Sequence, residues 1–462
     1  MVTYTTAFYY ALSALAVWSL LQLRKKRFLP LPPGPSGFPL IGNVYDIPHD
    51  YPWHTYAEWA KKYGDIIHLN VFGHETILLN SAKAAIEILD KRSSNYSDRP
   101  RMTPPTSLAS LYPVHKQTTI TLLEQLSNSP ERFVDHIRQY VGSAVLRAAY
   151  GYTVKILLGR ISAFPAIYPR TVAWGWFQTN GPGFAEEFSC SSRYPLRQCQ
   201  TRNGEWISRA VLQEVIKNCA GLVYLAGSDT TASLLLTWML AMARYLEVQA
   251  RAQSEVDAVT RGLRLPDFDD RNSAPYLDAM ITETMRWHPV TPMALPHRAM
   301  SQDVYEGYRI PAGTARFIFV FSFFESAILF RSGTTVTANT WAILHDETMY
   351  PEPFDFQPER FLQSKDGGKD GVCPDPFIMG AFGFGRRICP GRYLALNSAW
   401  IAIASILSLY TISKFVEEDG TVVEPTVEFT DGLVSHPKPY RIKLISRRDV
   451  NKALEAAKLE DY

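Results

Sequence analysis

The sequence predicts a mainly α-helical protein with small β-sheets (α+β), preceded by a transmembrane anchor helix. Three observations predict it. Apolar residues at helical spacing fill the middle and the C-terminal third, whereas alternating strand patterns are short and cluster toward the two ends. Residues 4–23 carry no charge and are followed at once by Arg24, Lys25, Lys26 and Arg27. Hydrophobic residues make up 46% of the 462 and charged residues 20%, enough for a large core and too apolar for disorder.

Composition excludes two classes. Lys and Arg number 47 against 45 Asp and Glu, so no basic field exists for nucleic acid. Five cysteines (Cys190, Cys199, Cys219, Cys373, Cys389) are too sparse for a disulfide framework.

The elements follow in order. Twenty residues at ~1.5 Å each span ~30 Å, a bilayer core, so residues 1–23 read as a membrane anchor. The cations behind it belong on the cytoplasmic side, and a cleaved signal would carry its charges ahead of the apolar run. Pro30, Pro32, Pro33, Gly34 and Pro35 stop the helix, so residues 24–35 read as a basic, Pro-rich hinge. Residues 36–446 form a single cytosolic domain and 447–462 a C-terminal tail. In that domain, spacing predicts a helix around 56–63, strands at 66–71 and 76–79, and a helix over 82–92. Helical pattern returns at 122–150, with Pro130 near a helix start. Residues 205–245 form a long helix, too apolar for the surface and therefore central. Amphipathic helix follows at 248–260, then helix at 276–288, stopped before Pro289. Residues 339–385 show little periodicity. Helix resumes at 391–409, and 422–445 alternates like short strands.

The sharpest motif is Phe382-Gly383-Phe384-Gly385-Arg386-Arg387-Ile388-Cys389-Pro390-Gly391. A cysteine sits in a Gly-rich loop that opens into a helix, whose unpaired N–H groups and positive dipole end favour thiolate. Glycines let backbone approach a flat partner closely, and Arg387 is placed to meet an anion. A buried cysteine near a cap is the plain alternative. Zinc fails for want of a second ligand at short spacing. Glu283-Thr284-Met285-Arg286 puts opposite charges at i and i+3 of one helix face. Pro358-Glu359-Arg360-Phe361 adds a downstream Arg. Ala226-Gly227-Ser228-Asp229-Thr230-Thr231 interrupts the central apolar helix with Gly, an acid and hydroxyls, which is costly in a buried helix.

The full match of Phe-x-x-Gly-x-Arg-x-Cys-x-Gly by Phe382, Gly385, Arg387, Cys389 and Gly391 resembles the heme-binding loop of the cytochrome P-450 superfamily. The order of the other motifs agrees, and Trp341 to Asp346 and Gly432 to Pro437 read like fungal members of the O-methylsterigmatocystin oxidoreductase type. The resemblance implies the cytochrome P-450 fold, with heme b (iron protoporphyrin IX) as cofactor and Cys389 as axial ligand of its iron. It implies a buried structural triad of Glu283, Arg286 and Arg360. It implies that the helix opens locally at 226–231 to admit O2, with Thr230 holding a water or the reduced oxygen and Asp229 relaying protons. It implies that His297 or Arg298 holds a heme propionate, and that Ala226, Gly227, Val290, Met293 and Ala294 line the pocket of a small apolar substrate. The activity implied is a monooxygenase of fungal secondary metabolism or xenobiotic oxidation, single-pass in the endoplasmic reticulum membrane with its catalytic domain cytosolic. The chain has no flavin or nicotinamide fingerprint, so electrons are expected from an NADPH-cytochrome reductase, with Arg386 and Arg392 as docking cations. Two rivals stand beside it: a heme-thiolate isomerase or dehydratase, and a non-catalytic, truncated or mispredicted member.

Three stretches depart from the family. Residues 101–117 lack its Trp-x-x-x-Arg helix, no Trp occurring between Trp59 and Trp174. Residues 156–206 show no helical period where the family carries the pocket roof. Residues 315–334, strongly apolar with Glu325 the lone acid, split a familiar run and read as translated intron.

Overall fold

A computed structural model of the chain describes residues 29–39, 41–97, 112–150, 209–312, 334–362 and 372–460. The anchor at 4–23, its flanking cations, residues 101–111, the stretch 156–206 and all but Thr334 of 315–334 lie outside them.

In chain order the elements are α1 (Pro52–Tyr63), β1 (Ile66–Val71), β2 (His74–Leu79), α2 (Ala82–Ala85), α3 (Tyr112–Asn128), α4 (Phe133–Tyr150), α5 (Arg209–Arg244), α6 (Leu246–Thr260) and α7 (Pro275–Trp287). There follow β3 (His297–Arg298), β4 (Asp303–Tyr305), β5 (Tyr308–Ile310), β6 (Thr335–Ala338), α8 (Thr340–Leu344), α9 (Arg392–Leu409), β7 (Tyr410–Val416), β8 (Val422–Val423), β9 (Ile442–Ser446) and α10 (Val450–Glu460). Helix with small sheets is thus the observed class. The chain divides into two compact units: Met1–Met102 with Thr291–Pro353 and Pro374–Cys389, and Thr103–Val290 with Phe354–Cys373 and Pro390–Tyr462.

The first unit is built on a four-stranded sheet ordered β1-β2-β6-β3, in which β2 and β6 run parallel and the other pairs antiparallel. Ile77 and Leu79 of β2 and Val336 and Ala338 of β6 point into one core with Ile88, Leu89, Tyr96 and Phe384. Ser81 caps α2 through Oγ, which accepts the Ala84 N–H at 3.3 Å. The helix expected over 82–92 is there, but it widens from α2 into a π-turn over Ile86–Lys91.

The second unit is helical around α5 and α9. Residues 231–243 of α5 are all buried, as are 397–409 of α9. By length and composition α9 is apolar enough to cross a membrane, but most of it is buried in the fold, so it is a core helix. The expected helical pattern at 122–150 begins ten residues earlier, at Tyr112, and is split before Pro130. Much of the alternation expected at 422–445 is irregular. The main strand is β7, which pairs with β9 from Tyr410↔Ser446 to Lys414↔Ile442 and follows α9 with no Gly or Pro between them. The other edge of β7 pairs with β8 at Phe415 and Val416, and ahead of that it is closed by side chains. Gln249 accepts the Ile412 N–H at 2.7 Å and donates to the Ile412 carbonyl at 2.8 Å, and Gln253 donates to the Tyr410 carbonyl at 3.0 Å. Two glutamines at i, i+4 of α6 thereby act as a surrogate strand.

His115 of α3 is 1% exposed, with Nδ1 hydrogen-bonded to Ser398 Oγ of α9 at 3.2 Å. Burial pushes its pKa down to about 4 from 6.5. The sign follows from the neutral folded ring: its contribution is full above the unfolded value and is lost as pH falls from 6.5 toward 4. The loss is on the order of 3 kcal/mol by pH 4. His115→Leu is expected to flatten that part of the stability profile, as urea denaturation at pH 7 and 4.5 would show.

Candidate functional site

The cysteine loop belongs to the first unit. It begins at the π-turn Phe377–Ala381 and ends through the 3-10 turn Gly385–Arg387 at Cys389. The Cys389 N–H donates to the Phe382 carbonyl at 2.8 Å, closing the loop on itself. Gly385 has φ +54°, and a Cβ there would strike the Leu89 carbonyl oxygen and lie 3.0 Å from Asp90 Cα. The absent side chain therefore seats the loop on the Ile86–Lys91 turn. Cys389 is half-buried and outside any disulfide. Arg387 is half-buried and Arg386 exposed. Gly391 opens α9 in the second unit, its carbonyl accepting the Ala395 N–H at 2.9 Å.

Also in the first unit, His297 Nδ1 bonds the Tyr96 carbonyl at 3.0 Å, and both His297 and Arg298 are half-buried on β3. Met293 packs against Tyr56, Ile67, Leu69 and Leu78, and Ala294 is buried in the larger core at φ +49°. Both side chains are thus committed to core packing.

The second unit holds the charge cluster. Glu283, Arg286 and Arg360 come together with side chains at 0%, 0% and 5% exposure. Arg286 donates from Nε at 2.7 Å and Nη2 at 2.9 Å in a fork onto Glu283. Arg360 Nε lies 3.3 Å from Oε1, and the Gln357 N–H reaches the same oxygen at 2.8 Å. Burial pushes the Glu283 carboxyl up from the usual range, while Arg286, the Gln357 N–H and Arg360 pull it back down.

On α5 the expected opening at 226–231 is not seen: helix continues unbroken through it. The hydroxyls are satisfied inside the helix, Ser228 Oγ donating to the Tyr224 carbonyl and Thr230 Oγ1 to the Ala226 carbonyl, both at 2.6 Å. Gly227 faces Val145 of α4, whose Cγ2 would lie 3.1 Å from an added Cβ, so close helix packing accounts for this glycine. Ala226 is exposed and Val290 half-buried, its carbonyl accepting the Ser435 N–H at 2.9 Å. Asp229 is 56% exposed and makes a charge contact with His436, whose Nε2 lies 3.1 Å from Oδ1. Sequence reading missed this pairing, although Gly432 to Pro437 had been noted as a fungal likeness.

Comparison with known proteins places the chain in a family. The cytochrome P450 family profile matches residues 32–119, 193–326 and 322–444. Cytochrome P450 monooxygenase 208 of Postia placenta is 36% identical, over 90% of each chain. Cytochrome P450 monooxygenase ple1 of Rhodocybe pseudopiperita is 35% identical over 94% of each, and claR of Ampulloclitocybe clavipes 32% over 90% of this chain and 86% of its own. The chain belongs to the cytochrome P450 family. It is a heme-thiolate monooxygenase, an oxidoreductase whose cofactor is heme b and whose reaction takes O2, an organic substrate and electrons from a reductase. The ple1 alignment spans 515 positions against 462 residues here, so that relative carries segments this P450 lacks.

The donor set fits the cofactor. Heme iron takes a soft thiolate ligand in this family, and Cys389, held by a backbone bond in a loop seated by Gly385, would supply it.

Glu283→Gln removes the carboxylate charge that two buried guanidinium groups share. The expected cost is ~3–5 kcal/mol, read as a lowered denaturation midpoint of the heme-loaded P450. A loss below ~1 kcal/mol, the value of a solvated pair, would refute an anchoring role.

Proposed function

We propose that this P450 hydroxylates a small apolar substrate in fungal secondary metabolism or xenobiotic oxidation, from a single-pass anchor in the endoplasmic reticulum membrane. The observation that carries the reading is the intact cysteine loop with Asp229-Thr230 on α5. Heme, when bound through Cys389, supplies oxygen activation and transfer of one oxygen atom to the substrate. The chain's own residues do the rest. Cys389 presents its sulfur from a loop whose backbone is fixed at both ends. Thr230 uses its proton on the Ala226 carbonyl, so its oxygen is an acceptor for a water or a protonated oxygen species. Asp229, more than half exposed, exchanges protons with solvent and passes them toward Thr230. That acid and hydroxyl favour oxygen activation over the isomerase or dehydratase reading, which needs no proton supply of this kind.

Support for the anchor comes from residues 4–23 and the four cations behind them. NADPH-cytochrome reductase is the proposed electron donor. Exposed Arg386 suits its docking better than Arg392, whose guanidinium stacks 4.5 Å over Tyr393. His297 and Arg298 are proposed for the propionates, and Ala226, Gly227, Val290, Met293 and Ala294 for the pocket. Core packing argues against Met293 and Ala294, and the Val145 contact against Gly227.

The reduced, CO-treated protein is expected to show a strongly red-shifted Soret band, and Cys389→Ala to lose both that band and NADPH-dependent turnover. Turnover that survived the substitution would refute the assignment. Residues 315–334 are proposed as translated intron. A mature transcript is expected to lack their codons, and one that retains them overturns this.

A further inference from the structure

We infer that His436 is a positioning residue for Asp229, holding its carboxylate in place on α5 for proton delivery; the inference rests on the role proposed above for Asp229. Asp229 and Ser233 are i, i+4 neighbours and share a face of α5. The loop from Thr430 to Pro437 lies along that face and grips both. Ser233 Oγ donates to the Ser435 carbonyl at 2.5 Å, and one residue on, His436 Nε2 meets Asp229 Oδ1 at 3.1 Å.

The loop is over-determined at this point. Ser435 is fully buried and every polar atom it has is engaged. Its N–H donates to the Val290 carbonyl at 2.9 Å, its carbonyl takes the Ser233 hydroxyl, and its Oγ donates to the Thr430 carbonyl at 2.7 Å and lies 2.8 Å from His288 Nε2. The backbone of His436 is held on both sides by Thr430: its N–H donates to Thr430 Oγ1 at 3.0 Å, and its carbonyl accepts the Thr430 N–H at 2.8 Å. Pro437 follows with its fixed φ. The imidazole therefore has little freedom before it meets the carboxylate.

Stability alone is a poor reason for a histidine here. The ring is 17% exposed, and its Nδ1 is buried with no hydrogen-bond partner among the described residues, which costs stability. The return is one charge contact with a carboxylate that is 56% exposed, a kind of pair that contributes little in water. An apolar ring would fill the same space with no orphaned nitrogen. What histidine adds is a polar ring nitrogen fixed 3.1 Å from Asp229 Oδ1, which an apolar ring would not supply. Without it, an exposed carboxylate one residue from Thr230 samples several rotamers, and proton transfer requires a short, aligned path.

The test compares full-length, heme-loaded wild type with H436F, H436Q, D229N and the double variant D229N/H436F, each with NADPH-cytochrome reductase and no added substrate. Three signals are read: the reduced-CO Soret band, the infrared C–O stretch of that complex, and NADPH oxidation in H2O and in D2O. All are expected to keep the red-shifted band. H436F is expected to slow NADPH oxidation about tenfold, less than the ~10²-fold typical for loss of an acid itself, and to raise the solvent isotope effect. It should move the C–O stretch in the same direction as D229N. The double variant should be no slower than D229N, and H436Q, which keeps a polar nitrogen within reach of the carboxylate, should recover to within about twofold of wild type. Should H436F lose the band, His436→Asn, too short to reach Asp229, carries the same expectations. Wild-type rates, isotope effect and C–O stretch in H436F beside an impaired D229N overturn this inference alone. An unimpaired D229N overturns the role of Asp229 and this inference with it. A wild-type chain without the red-shifted band overturns the proposed function itself.

Discussion

A carboxylate taken wholly out of water must be met by donors on every side, and the second unit is organised around that requirement at Glu283. Four N–H donors reach it: two from Arg286, one from Arg360 and the Gln357 backbone. The guanidinium groups are in turn turned outward onto one carbonyl, that of Asp355, from Arg286 Nη2 at 3.1 Å and Arg360 Nη2 at 3.4 Å. Trp287 Nε1 adds the Phe354 carbonyl at 2.9 Å. Residues 354–360 are thus laid along α7 by hydrogen bonds from charged or indole donors. An apolar substitute for the cluster could pack as well, but would not specify which backbone atoms meet α7.

Spacing alone puts Glu283 and Arg286 on one helix face, whereas Arg360, 77 residues away, entered the cluster only through the family resemblance. In the first unit, β1 is bounded as its alternation predicts. Strand β7 was not legible. It follows α9 without a breaking residue, and its edge is satisfied by Gln249 and Gln253, which are more than 150 residues away in sequence. No local pattern announces an amide side chain that substitutes for a strand. The C-terminal tail was read as a tail, yet it holds the amphipathic helix α10, which buries Val450 and Leu454.

The candidate site divides along the same line. The cysteine loop is written in residue types, and Gly385 shows why: its φ and its contact with Leu89 admit no side chain. The segment 226–231 is written in residue types too, yet its chemistry was misread as a break. Hydroxyls that look disruptive in an apolar helix are absorbed by the carbonyls of Tyr224 and Ala226, so the helix keeps its continuity. Gly227 is absorbed by Val145.

That continuity bears on function. An unbroken α5 is a rigid rod from Arg209 to Arg244, so residues along it keep fixed angular relations. Thr230 is turned with its proton inward and its lone pairs outward. Asp229 sits about 100° round the axis, on the side where Ser233 is anchored by Ser435. The two polar groups proposed to act in sequence are therefore placed by one helix, while the loop from Thr430 to Pro437 meets Asp229 and leaves Thr230 untouched. On the proposed roles, variation in that loop would tune proton supply while leaving the helix, and the Thr230 hydroxyl on it, unchanged.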